Sequence, residues 1–252
     1  MEKLDRSVRL LRQAGPVGLA RAVLNYAYRR SLRRIMPIEN QVIYSGVPIS
    51  VERRIFDRVV GKYFGSLHTE DIADYEITLL NGLQRAVKSG DKVVIVGGGV
   101  GVTAVVAAQL AAPDGHVTCF EGSERQVELV RETVRRNAVS DRVTVRHALV
   151  GQNIGVRGTL GAAEVVSAGS LPPCDVLELD CEGSEVEILR DMGIRPRSII
   201  VESHGFRGAP SAGIQAILQG LGYAVEVGDI AEPRARAFCE DNDVRILFAS
   251  KA

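Results

Sequence analysis

Apolar and polar positions change rhythm near residue 91. Before it they run mostly at helical spacing: residues 3–13 and 17–35 predict helices parted at Gly15-Pro16, and Pro16 suits a first helical position. Ile43–Ile49, with Ser45-Gly46 inside it, predicts extended structure or a hairpin, and 51–64 and 71–88 predict amphipathic helices. From Asp91 onward, short valine-rich runs alternate with helical stretches. Strands are predicted at Lys92–Val96, His116–Phe120, Arg142–Arg146, Asp175–Leu179 and Ser198–Val201, and helices at 102–112, 124–138, 185–192 and 211–220. Ser123 with Gln126, and Ser184 with Glu187, have capping-box spacing. Residues 151–173 are glycine-rich and predict no element; Tyr223–Val227 and Val244–Ala249 close the chain as strands with no helix between them. Repeated βα units imply an α/β fold, a doubly wound and mostly parallel sheet with helices on both faces, and the closing runs an antiparallel edge pair. Residues 1–65 then form a helical extension and 66–252 the α/β domain.

Composition narrows the function classes. With 46% hydrophobic and 25% charged residues in 252, disorder and coiled coil are excluded. Lys plus Arg equals Asp plus Glu at 31 each, so no global field points to a nucleic-acid partner. Residues 1–36 nonetheless hold nine basic and two acidic side chains, a net of +7 that leaves −7 on the remainder. Such an arm reads as a helix packed on the body or in a dimer, its arginines solvated, or as one lying on an anionic membrane surface. The four cysteines show no CxxC pair and no metal-ligand spacing with the histidines, which suggests a reducing, cytoplasmic setting. Asp5, Arg6, Arg9 and Arg12 interrupt any signal-peptide core. Val93–Pro113 is uncharged over 21 residues, but Gly97-Gly98-Gly99 splits it into strand, turn and helix.

In open α/β sheets, ligands bind beyond the carboxyl ends of the strands. The first strand ends in Gly97-Gly98-Gly99-Val100-Gly101, where glycine permits close backbone approach and frees a helix N-terminus. The second ends in Glu121-Gly122, an acid placed to accept both hydroxyls of a ribose. Together they indicate a nucleoside-bearing cofactor. A dinucleotide loop wants Gly or Ala where Val102 stands, which counts against a dinucleotide-dependent oxidoreductase.

The segment DVLELDCEGSEVEIL, Asp175 to Leu189, resembles the hallmark of the FkbM-type S-adenosylmethionine methyltransferases, roughly D-x-L-K-I-D-V-E-G-A-E. Asp175, Asp180, Glu182, Gly183 and Glu185 fall on its fixed positions. DYEITLLNGLQRAVKSGDKVVIVGGGVG is similar to the family's Glu-bearing helix, Gly-Asp, strand and glycine loop, and VESHG to the end of its fifth strand. Ile95 stands where the family has Asp, and the loop lacks its Asn. The resemblance implies a class I, Rossmann-like methyltransferase that binds S-adenosylmethionine and methylates an oxygen of a small molecule or glycan. Gly97, Gly98, Gly99, Gly101, Glu121 and Gly122 would hold the cofactor, His147-Ala148 would lie near the adenine, and Asp180 at the reacting centre. His204 is then the acceptor's general base; alternatively Asp180, Glu202 and His204 gather a divalent ion. A non-catalytic binding protein on the same fold is the remaining alternative.

Overall fold

The computed structural model describes residues 2–152, 155 and 158–251. The two chain ends and part of the glycine-rich stretch lie outside the described residues. Two compact units form, Met1–Ile43 with Val51–Asp71, and Tyr44–Ser50 with Ile72–Ala252.

In chain order the first element is α1 (Glu2–Arg30), which joins the two predicted helices across Gly15, where φ +67° and ψ −175° break the helical geometry. Then follow α2 (Leu32–Ile35), β1 (Ile38–Tyr44), β2 (Val47–Arg54) and α3 (Asp57–Phe64). Ser45-Gly46 turns the hairpin with φ +46° and +81°, the paired positive values a two-residue connection needs. The helix predicted over 51–64 is therefore corrected: Val51–Arg54 are strand. Burial alternates through Val47, Ile49 and Arg53, and the Arg53 Nε donates to the Thr69 carbonyl at 2.7 Å. Asp57 is buried and accepts from the Tyr28 hydroxyl (2.9 Å), the Arg33 Nε (3.1 Å) and the Arg54 N–H (2.8 Å). Arg33 is thus an internal partner, whereas Arg21, Arg29, Arg30 and Arg34 are exposed.

The larger unit continues with α4 (Ile77–Ala86), β3 (Lys92–Val96), α5 (Val102–Leu110), β4 (His116–Glu121), α6 (Glu124–Arg136), β5 (Val143–Val150) and β6 (Glu164–Val166). It ends with β7 (Val176–Leu179), α7 (Glu185–Asp191), β8 (Ser198–Glu202), α8 (Ser211–Gly220), β9 (Tyr223–Val227), α9 (Arg236–Asp241) and β10 (Ile246–Lys251). The sheet order is β6-β5-β4-β3-β7-β8-β10-β9, parallel except for β10, which pairs antiparallel with both β8 and β9. This is the expected doubly wound, mostly parallel fold with its antiparallel edge. Strand residues alternate between two layers: Val94, Val96, Leu177, Leu179, Ile199 and Val201 pack with α7 and α8. Their neighbours face the layer of α4, α5 and α6, where Gly82 of α4 meets Ile200 and Phe248.

Three local expectations change. The helix over 71–88 starts only at Ile77, because Glu76 is left-handed at φ +48°. A short helix, α9, separates the closing strands. Neither capping box forms, since the groups that would close it are engaged elsewhere. Glu121 accepts from Ser123 N–H at 2.7 Å, while the Ser184 hydroxyl donates to the Gln152 carbonyl at 2.8 Å and Glu187 accepts from Gln152 N–H at 3.0 Å. Among the described residues no helix is long and apolar enough to cross a membrane.

Candidate active site

Strand order reverses at β3, flanked by β4 and β7, and the carboxyl ends of these strands open a cleft. The glycines there answer different demands. Gly97 has φ +103°, and a Cβ on it would lie 1.7 Å from the Asp180 carbonyl oxygen, so it exists to let the β7 backbone pass. A Cβ on Gly98 would meet the Cys119 Sγ at 2.8 Å, and one on Gly101 the Val130 Cα at 3.1 Å. Gly99 faces open space, with the Tyr75 hydroxyl its nearest neighbour at 3.9 Å. Three of the four glycines therefore serve the protein's own packing, and Gly99 leaves room for a ligand.

Glu121 is turned into this loop. Its Oε2 accepts from the N–H groups of Gly98 (2.9 Å) and Gly99 (3.1 Å), its Oε1 from Ser123 (2.7 Å), and only 6% of the residue is exposed. Burial raises its pKa above the usual carboxylate range, against the lowering pull of those backbone N–H groups.

The cleft has a volume of about 160 Å³ and opens to solvent at its mouth. Of the residues singled out in the sequence, Gly97, Gly99, Glu121, Gly122, Ala148 and Asp180 line it. Gly98, Gly101 and His147 do not. His147 pairs with Glu121 across β4 and β5, but strand alternation sends its side chain to the other face from Ala148, and its buried Nε2 has no hydrogen-bond partner among the described residues. Tyr75, Glu76, Gln126 and Glu182 also line the cleft. The left-handed Glu76 that places the first two has no signature in residue type.

A second chamber of about 390 Å³ shares Tyr75, Glu76, Asp180 and Glu182 with the cleft and adds Glu202, His204, Phe206, Arg207, Glu232 and Phe238. His204 is 3% exposed, and its Nδ1 meets the Glu185 Oε1 at 2.9 Å. Glu185, fully buried, also accepts from the N–H groups of Cys181 (3.0 Å) and Gly183 (2.9 Å). That contact assigns the Nδ1 proton to Glu185 and turns Nε2 toward Asp180, 3.6 Å away, and Glu182, 3.9 Å away. Burial alone would lower the His204 pKa, but the Glu185 bond and the charges of Asp180, Glu185 and Glu182 raise it. Burial likewise opposes ionisation of Glu185, and the His204 and backbone bonds overcome it and lower its pKa. Glu182, at φ +58°, pairs with the Arg207 Nε at 3.1 Å.

The other motif acid, Asp175, sits at the opposite, amino-terminal ends of the strands, where its Oδ2 accepts from the Lys92 N–H at 2.8 Å. Asp91 there pairs with Arg197 at 2.6 Å. Ile95 is buried between Cys119 and Glu178, its register neighbours on β4 and β7. Glu178 is fully buried, and burial pushes its carboxyl far up.

No protein-family model matches the chain. Over 66 residues, 26% of its length, it is 39% identical to ribosomal protein L11 methyltransferase of Thermotoga neapolitana. The matching stretch spans 24%, about a quarter, of that relative's length. Among solved structures it is similar to a precorrin-6y C5,15-methyltransferase from Geobacter metallireducens, at 17% identity over 74% of this chain and 91% of that one, TM-score 0.48. It is also similar to a SAM-dependent O-methyltransferase from Thermotoga maritima, at 17% identity over 70% and 64% of the two chains, TM-score 0.48. An O-methyltransferase from Bacillus cereus, in complex with SAH, is 15% identical over 70% and 80%, TM-score 0.44.

Proposed function

We propose that the larger unit is an S-adenosylmethionine-dependent methyltransferase of FkbM type that methylates an oxygen of a small molecule or glycan. The observation that carries this reading is the pair of adjoining spaces. A cleft built on Glu121 and Gly99 shares Tyr75, Glu76, Asp180 and Glu182 with a chamber that contains His204. Donor and acceptor need such neighbouring sites, because methyl transfer depends chiefly on alignment.

The bound cofactor supplies the electrophilic methyl group. Glu121 Oε1, which holds one backbone N–H, has a lone pair left for a ribose hydroxyl. Ala148 and Leu149, which line the cleft, would lie beside the adenine, and Asp180 lines both spaces. His204, oriented by Glu185, takes the acceptor's proton at Nε2. The acids Glu76, Asp180, Glu182 and Glu232 that line the chamber beside Arg207 disfavour phosphate-rich acceptors, which supports a small molecule or glycan over nucleic acid.

Thermal-shift titration tests this. S-adenosylmethionine and S-adenosylhomocysteine should raise the melting temperature with concentration, and NAD(P) should not. Stabilisation by NAD(P) alone would reject methyl transfer, and none by any ligand would favour a non-catalytic protein. His204→Ala should keep the adenosyl-ligand shift and lower turnover with an accepted substrate; unchanged turnover would remove His204 from the mechanism.

A further inference from the structure

The acids of the acceptor chamber are not partnered alike. Glu182 is paired with Arg207 at 3.1 Å, and Glu232 with Arg234 at 2.8 Å. Glu202 is different. It is 9% exposed, it lines the chamber, and its carboxylate has no hydrogen-bond or ion-pair partner among the described residues. Burying such a group as an anion is costly, so it is either held neutral or faced by a cation.

Three donor atoms converge there. One oxygen each from Asp180 and Glu202 and a ring nitrogen of His204 all lie within 4.8 Å of one another. An ion with bonds of about 2.1 Å sets its donors roughly 3–4.2 Å apart, so small rotamer adjustments close the set. The His204 ring is already held as a ligand ring should be, with Nδ1 on a buried carboxylate, Glu185, and Nε2 toward the acids. Two carboxylates balance a divalent charge, and one imidazole with two carboxylates suits manganese, iron or zinc better than magnesium.

We infer that Asp180, Glu202 and His204 form a divalent-cation site in the floor of the acceptor chamber. The site stands on these residues alone. Its use in catalysis rests on the methyl-transfer reading. A bound ion would accept a lone pair from the acceptor hydroxyl and lower its pKa. The proton would then pass to water as the O–CH3 bond forms and the C–S bond breaks. With the ion in place, His204 Nε2 is a ligand and the proton-acceptor role moves off it.

The test is a Mn2+ titration of the full chain without any adenosyl ligand, following free aquo-Mn2+ by electron paramagnetic resonance. One ion per chain should bind, and Glu202→Gln and His204→Ala should each weaken binding about tenfold or more. Glu232→Gln, in the same chamber but outside the set, should change it less than about twofold. Thermal melts confirm that each variant is folded. Equal weakening by Glu232→Gln would reduce the effect to diffuse acidity and overturn the site. So would failure to bind both Mn2+ and Zn2+, or stabilisation by propylammonium with no Mn2+ binding, which would mark the chamber for an organic cation. Adenosyl-ligand binding is read separately: its absence with Mn2+ binding intact would sink the methyltransferase reading and leave the ion site standing.

Discussion

Replacing Glu121 with alanine tests whether this carboxylate pins the glycine loop. In the native fold it accepts three backbone N–H bonds, from Gly98 at 2.9 Å, Gly99 at 3.1 Å and Ser123 at 2.7 Å. Hydrogen bonds to a charged group contribute about 1.5–3 kcal/mol each, so a simple sum is roughly 4.5–9 kcal/mol. Two effects reduce it. Burial already penalises the charged form, and water entering the cleft can reach the orphaned N–H of Gly99, which is only half-buried. A loss of about 2–4 kcal/mol is the expected result, which for a unit of this size lowers the melting temperature by roughly 5–15 °C. Urea and thermal melts of Glu121→Ala and wild type, each with and without S-adenosylhomocysteine, give both quantities. The variant should lose stability without ligand and gain less from ligand. A midpoint unchanged without ligand would refute the pinning argument, whatever happened to binding.

Two further outcomes follow from buried acids. Glu178 has a raised pKa in the fold, by burial first and then by Asp180 and Glu76, so its stability contribution is fully present below the unfolded value near 4.5 and is lost as pH rises through the folded one. Glu178→Gln should therefore be about 1–3 kcal/mol more stable than wild type at pH 8, the difference shrinking toward pH 4–5; parallel urea-midpoint curves across that range would rule this out. In the smaller unit, burial and the hydrogen bond to Asp57 push Tyr28 up to about 12. Asp57→Ala should bring its ionisation back toward 10 in absorbance at 295 nm and cost about 2–3 kcal/mol; a phenol titration that did not move would remove Asp57 as a cause.

The sheet was legible because its strands are short, buried apolar runs separated by turn residues, a pattern that side-chain burial imposes directly. The N-terminal region was less so. Val51–Arg54 carries both a helical and an alternating pattern, and the Ser45-Gly46 turn with Arg53 buried on Thr69 decides for strand. Gly97 shows the same limit within the site. Its type was read as room for a ligand, whereas it clears the backbone of Asp180, a residue 83 positions away.

What brings the chemistry together is strand register, which no local pattern encodes. Leu179 pairs with Val201 in parallel, so Asp180 and Glu202, each one step further, become neighbours. Residues two apart on a strand share a face, so His204 follows Glu202 to that side. Glu185 looks in the sequence like any acid at a helix start, and its dipole accounts for it as well as any site would. Only the placement of β8 beside β7 sets His204 over it at 2.9 Å and converts a helix-start acid into the group that orients an imidazole. The same adjacency means that Asp180, Glu185 and His204 cannot be read one at a time. A charge change at any of them alters the other two, so double-mutant cycles among the three are the measure of the site, and single substitutions understate it.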